Sequence, residues 1–189
     1  MQRLIAAAGL ALLFAGAAGA QPAAKSVPFE PKTQVDGKVL QVMLRNQALF
    51  RLDDGGLPVL DSVQEGQLAV AHPPGAATES FAAPPAGMIA AAVDGSVEKH
   101  ATFLKVWNHT AHSIQYRAMA LEMMQGNTLH PVIVEPCPVP PGGVRTESWP
   151  APIIAVGLSN FRRASPQALA RCGGAKPAGP KPSLPKKGK

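Results

Sequence analysis

After residue 18 the chain contains no apolar run approaching the roughly 20 residues that a membrane-spanning helix needs. It has only two cysteines, and neither sits in a C-x-x-C pair, so no redox motif of that kind is present. There is no nucleophile elbow, the five histidines are scattered, and the one adjacent carboxylate pair, Asp53-Asp54, runs into Gly55-Gly56 as a turn does. Catalysis needs a base within reach of a nucleophile, or two tuned carboxylates. Nothing of that sort is visible, so the expectation is a protein that is not an enzyme and carries no cofactor. Asp53-Asp54-Gly55 also lacks the Glu that a calcium loop places twelfth. No internal repeat occurs, and no helical stretch is long enough to connect parallel strands.

Charge of one sign is missing from the end of the chain. Beyond Cys172 there are five lysines (Lys176, Lys181, Lys186, Lys187 and Lys189) and no acid. With these and Arg3 set aside, 12 of the 18 basic residues remain, against 12 acids. The net charge of +6 therefore belongs to the ends, while the middle is neutral and alternates in sign. A phosphate-binding groove needs a basic stripe, and its absence argues against nucleic acid as a partner. Residues 174–189 have almost nothing apolar to bury and read as a disordered Lys/Pro-rich tail. Its lysines are candidates for contact with an anionic surface.

What is present at the start is an export signal. Arg3 precedes an unbroken small and apolar run from Leu4 to Ala18, and Ala18-Gly19-Ala20 supplies the small residues of a cleavage site. Residues 1–20 are therefore expected to be removed, and with no Cys at the cut a lipid anchor there is excluded. The compartment expected is periplasmic or secreted, with no membrane span in the mature chain. In such a compartment Cys137 and Cys172 pair. Closing a loop of about 35 residues contributes ~3–4 kcal/mol on the chain-entropy model.

Residues 21–36 read as a Pro- and Ala-containing linker, and residues 37–173 as one domain. Short apolar runs stopped by Gly, Pro and Asp predict strands at Val39–Leu44, Ala48–Leu52, Leu68–Ala71, Met88–Val93, Thr102–Trp107, Val132–Val134 and Ile153–Leu158. Ile114, Tyr116, Ala118 and Ala120 alternate with polar or larger neighbours, the mark of a half-buried strand. The segment 74–87 is Ala-, Pro- and Gly-rich and reads as an exposed loop. Ser165 as cap, Pro166 at the first position and Gly173 at the end outline one short helix, which carries Cys172 back towards Cys137. The class expected is all-β, an antiparallel β-sandwich with one short C-terminal helix.

Several motifs carry a resemblance: Phe103-Leu104-Lys105-Val106-Trp107-Asn108-His109-Thr110, Cys137-Pro138-Val139-Pro140-Pro141-Gly142, and Glu147-Ser148-Trp149-Pro150. Over residues 85–163 the chain resembles small secreted proteobacterial proteins without an assigned activity. Its pattern of strand, Asn-x-Thr turn and strand is similar to immunoglobulin-like periplasmic domains. The resemblance implies an immunoglobulin-like sandwich in the bacterial envelope and carries no catalytic residue. The function expected is a non-catalytic envelope module that binds a protein or polymer, with Trp107, Asn108, His109, Glu147 and Trp149 as a candidate rim. The alternative is a copper-type metal handler using His109, His112 and Met119, since imidazole and thioether ligands suit such a site. That alternative requires a turn that brings the three together, because strand residues three apart face opposite ways.

Overall fold

Runs of aliphatic residues with period two dictate strands, and their turns dictate antiparallel pairing. The computed structural model describes residues 30–125 and 128–172. Among these the strands are β1 (Gln34–Asp36), β2 (Val39–Met43), β3 (Asn46–Leu52), β4 (Pro58–Glu65), β5 (Ile89–Ser96), β6 (Ala101–Asn108), β7 (Ile114–Met123), β8 (Leu129–Val134), β9 (Gly143–Trp149) and β10 (Ile153–Arg163). Helix α1 (Pro166–Cys172) follows. Sheet A has the order β1-β2-β10-β7-β8 and sheet B the order β4-β3-β5-β6-β9. Every pairing within the two sheets is antiparallel.

The sheets pack face to face. Leu40, Val42, Tyr116, Ala118, Ala120, Val156 and Leu158 come from sheet A, and Ala48, Phe50, Ile89, Ala91, Val93, Leu104 and Val106 from sheet B. Together they form one buried cluster. Two crossings between sheets are interlocked: β6 leads to β7 and β9 to β10, while β6 pairs with β9 and β7 with β10. Strand β10 is central in sheet A and buried across most of its length. A side chain at Gly157 would stand only 3.1 Å from Val39 Cγ1, so Gly157 lets that neighbour lie close over β10.

Sheet B is covered on its outer face as well. Ala90, Ala92 and Trp107 meet Leu68, Ala71 and Phe81 from the segment between β4 and β5. The expected strand at Leu68–Ala71 is instead a single 3-10 turn, Ala69–Ala71. The segment expected to be an exposed loop is a strap that buries Phe81 and Pro84. The physical reason is the alanines of β5. With methyl groups at 90 and 92, the strap backbone approaches closely enough to seat its few large side chains. Polar ties hold it down: Gln47 Nε2 donates to Ala82 O (2.9 Å), and Glu79 bridges Lys105 (3.0 Å) and the Ala69 amide (2.9 Å).

The folded unit also begins before the expected boundary at Gly37. Strand β1 lies inside the segment read as linker, and Thr33 is buried, donating from Oγ1 to Asn46 Oδ1 (2.8 Å). Strands β4 and β9 fall outside the strands that the sequence predicts, because both are edge strands of sheet B rich in polar and charged residues. β4 is exposed along most of its length, and β9 alternates exposed with half-buried positions. Helix α1 forms as its cap predicts, with the Ala168 amide donating to Ser165 Oγ (3.2 Å). The Cys137–Cys172 disulfide closes 35 residues. Residues 1–29 and 173–189, which hold the expected signal, most of the linker and the tail lysines Lys176, Lys181, Lys186, Lys187 and Lys189, lie outside the described residues.

Candidate functional site

Three chain reversals meet at one end of the sandwich. At Leu44-Arg45 the chain passes from sheet A to sheet B. The Leu44 amide donates to Ile154 O (2.9 Å) and the Arg45 amide to Val93 O (2.7 Å), with Arg45 in the left-handed region at φ 64°. The second reversal is the β5–β6 hairpin. A side chain at Gly95 would approach Ala101 O to 2.9 Å, so only glycine lets the two strands close there. The third is Pro150-Ala151-Pro152 between β9 and β10. Thr102 fixes it by donating from Oγ1 to Ala151 O (2.9 Å) and accepting from the Ile153 amide (3.2 Å). The Met123 amide, donating to Pro152 O (3.0 Å), ties in the end of β7.

Between these reversals lies a pocket of about 430 Å³, walled chiefly by Leu44, Met123, Pro150, Pro152, Ile153 and Ile154, with the hairpin forming its other side. The lining is apolar in character, and Val97 projects at the rim with 81 % of its surface exposed. Ser96 accepts the Lys99 amide through Oγ (3.2 Å). The Glu98 carboxyl is held below its usual range, first by a hydrogen bond from its own backbone amide, then by Ser96 and by the nearby charges of His72 and His100.

Behind the hairpin Asp94 is fully buried and fully engaged. Oδ2 accepts from the Leu68 amide (2.8 Å) and contacts His72 Nε2 (2.9 Å), and Oδ1 accepts from the Gly95 amide (2.8 Å). A buried carboxylate without such partners is costly. Here it latches the strap to β5. The pair escapes sequence reading because its members are 22 residues apart and His72 falls in a stretch without periodicity.

The residues singled out from the sequence do not form one site. Asn108 is buried and organises the β6–β7 turn: Nδ2 donates to His112 O (2.8 Å) and Val139 O (2.9 Å), while Oδ1 accepts from the Thr110 amide and hydroxyl. Trp107, 8 % exposed, lies under the strap with the Lys105 ammonium 4.7 Å from its ring centre. Trp149 is buried at the end of β9 and joins the inter-sheet core. His109 and His112 sit in the β6–β7 turn, and Met119 lies halfway along β7, roughly 16 Å on at the rise of a strand. The three are not brought together. Among the described residues no three His, Cys, Asp or Glu side chains could share a metal ion.

Glu147 lies in different company from the rest of that rim. On β9 it shares a face with Arg145 and Trp149, and its partner across β6 is the core residue Leu104. Partial burial pushes its carboxyl up, with Arg145 opposing. Facing it from sheet A, Tyr116 is 2 % exposed, and its hydroxyl has no hydrogen-bond partner among the described residues. Burial raises the phenol far above its usual range, the charge of Glu147 adds to this, and Arg145 works against it.

These features define a two-layer antiparallel β-sandwich closed by a disulfide. No helix among the described residues is long and apolar enough to cross a membrane, and the disulfide is compatible with an oxidising, extracytoplasmic compartment. Compared with known protein families, curated proteins and solved structures, the chain matches none.

Proposed function

We propose that this protein is an exported, non-catalytic, immunoglobulin-like binding module of the bacterial envelope, and that it takes the aliphatic side chains of a partner polypeptide in the pocket beside Val97. The observation that carries the reading is the pocket itself. Its volume of about 430 Å³ lies within the usual range for ligand sites, which are mostly apolar with few polar groups. Thr102, its buried polar neighbour, is engaged by the Pro150–Pro152 corner, which favours apolar contact over recognition of a charged small molecule. The interlocked crossings β6–β7 and β9–β10 support the immunoglobulin-like assignment. The Leu4–Ala18 run and the disulfide support export.

The test is photocrosslinking in the native host from a reactive side chain at position 97, with position 63 as control, since Val63 is an exposed aliphatic on β4. One dominant adduct from position 97 is expected, lost on Leu44→Asp or Met123→Asp. Equal adducts from both positions would refute the pocket as the contact site.

A further inference from the structure

Strand register gathers arginines that the sequence keeps apart. On β10, Ser159 stands opposite Arg117 of β7, and Arg162 opposite Gln115. The β7–β8 register continues from Ala118 opposite Val134, which brings Arg117 to Glu135, Nη2 to Oε1 at 2.8 Å with both side chains about half exposed. Helix α1 brings Arg171 to the same place, because the disulfide ties its last residue to Cys137, two positions after Glu135. Arg117 by its hydrogen bond and charge, then Arg162 and Arg171 by charge alone, hold the Glu135 carboxyl below its usual range. Three guanidiniums thus act on one carboxylate, leaving excess positive charge. Arg163, also exposed, is next in the chain to Arg162.

Beside this cluster the sheet is apolar. Ile133, two residues before Glu135 and so on the same face, is 59 % exposed and stands opposite Met119. We propose that this face of sheet A, with Arg117, Arg162 and Arg171 at one end and Ile133 beside them, docks onto an anionic phospholipid surface. Guanidinium forks match phosphate geometry, and an exposed aliphatic next to them fits the boundary between head group and acyl chain. A soluble polyanion would use the arginines and leave Ile133 idle. From Cys172 the chain continues into a sequence with five lysines and no acid, which adds charge of the same sign. The inference does not depend on the pocket.

The experiment is sedimentation of the processed chain, Gln21 to Lys189, with equimolar phosphatidylglycerol–phosphatidylcholine vesicles and with phosphatidylcholine alone, at about physiological ionic strength. Binding to the anionic vesicles alone is expected. Arg162→Gln with Arg171→Gln should weaken it about twenty-five-fold, each charge near such a surface contributing about fivefold. The charge-matched pair Lys186→Gln with Lys187→Gln should weaken it less than about threefold. Ile133→Gln, which alters no charge, should still weaken it severalfold. Equal losses from the arginine and lysine pairs would assign binding to the tail and overturn the proposal. An unchanged Ile133→Gln, or binding to soluble polyphosphate without vesicle binding, would also overturn it.

Discussion

The two outer faces of the sandwich are built from similar strands and meet different fates. The face of sheet B is roofed by the strap, which seats Leu68, Ala71 and Phe81 on Ala90, Ala92 and Trp107. The face of sheet A has Ile133 in the open and an arginine cluster at one end. Side-chain size accounts for part of the difference. Small residues at 90 and 92 admit a covering chain, whereas on sheet A the Val39 and Met119 side chains themselves lie over Gly157. A covered face contributes stability, and an open face is free for a partner.

The largest effect that tests this contrast is on the covered side. Trp107→Ala should cost about 3–5 kcal/mol through lost burial and the cavity beneath the strap. Ile133→Ala on the open face should stay within about 0.5 kcal/mol. Urea unfolding of both variants reads the difference directly, and comparable losses would mean that the two faces are not distinct.

Next in size is the disulfide. Replacing Cys137 and Cys172 with Ala should lower stability by about 2–4 kcal/mol, since the 35-residue link no longer restricts the unfolded chain. It should also free α1, and with it Arg171, from the open face. Hydrogen exchange in residues 166–172 should rise while the strap amides stay protected.

Asp94→Ala attacks the latch. It strands the buried Leu68 amide and the partly buried Gly95 amide and releases His72, and should cost about 2–3 kcal/mol. The signature is local: exchange over residues 66–82 should accelerate more than exchange in β7 or β10. Uniform acceleration would show that the strap and the sandwich open as one unit.

The smallest expected effect concerns Glu147. Its carboxyl titrates above the usual range in the fold because of desolvation. The fold therefore favours the neutral form, and the stability associated with it declines as pH rises from the ordinary carboxylate range through the raised value. Glu147→Gln removes that penalty. At neutral pH the variant should melt about 1 °C higher, a small figure because the side chain is only partly buried. Below about pH 3, where the Glu147 carboxyl is neutral in both folded and unfolded chains, the melting points should coincide.

What could be read before folding was local. Ser165-Pro166 announces α1 because capping involves neighbours three residues apart. The alternation from Ile114 to Ala120 announces β7, whose residues Ile114, Tyr116, Ala118 and Ala120 line the core. Asn108-His109-Thr110 marked a turn correctly, but the role of Asn108 inside it depends on Val139, 31 residues away. Glu147 stands out in the sequence as a rim residue, whereas Tyr116, which faces it across the sheets, reads like any other core position.

The sequence by itself determined the all-β class, helix α1 and the pairing of the only two cysteines, because each rests on short-range pattern or on a count that leaves one solution. Tertiary structure alone decided that the alanine-rich segment after β4 is a strap, that His72 meets Asp94, and that Arg117, Arg162 and Arg171 gather around Glu135. Each of these depends on register between strands distant in the chain. A shift of one residue in that register would turn Arg117 and Ile133 inward, and it is the burial of the whole inter-sheet core, not any local preference, that holds the register in place.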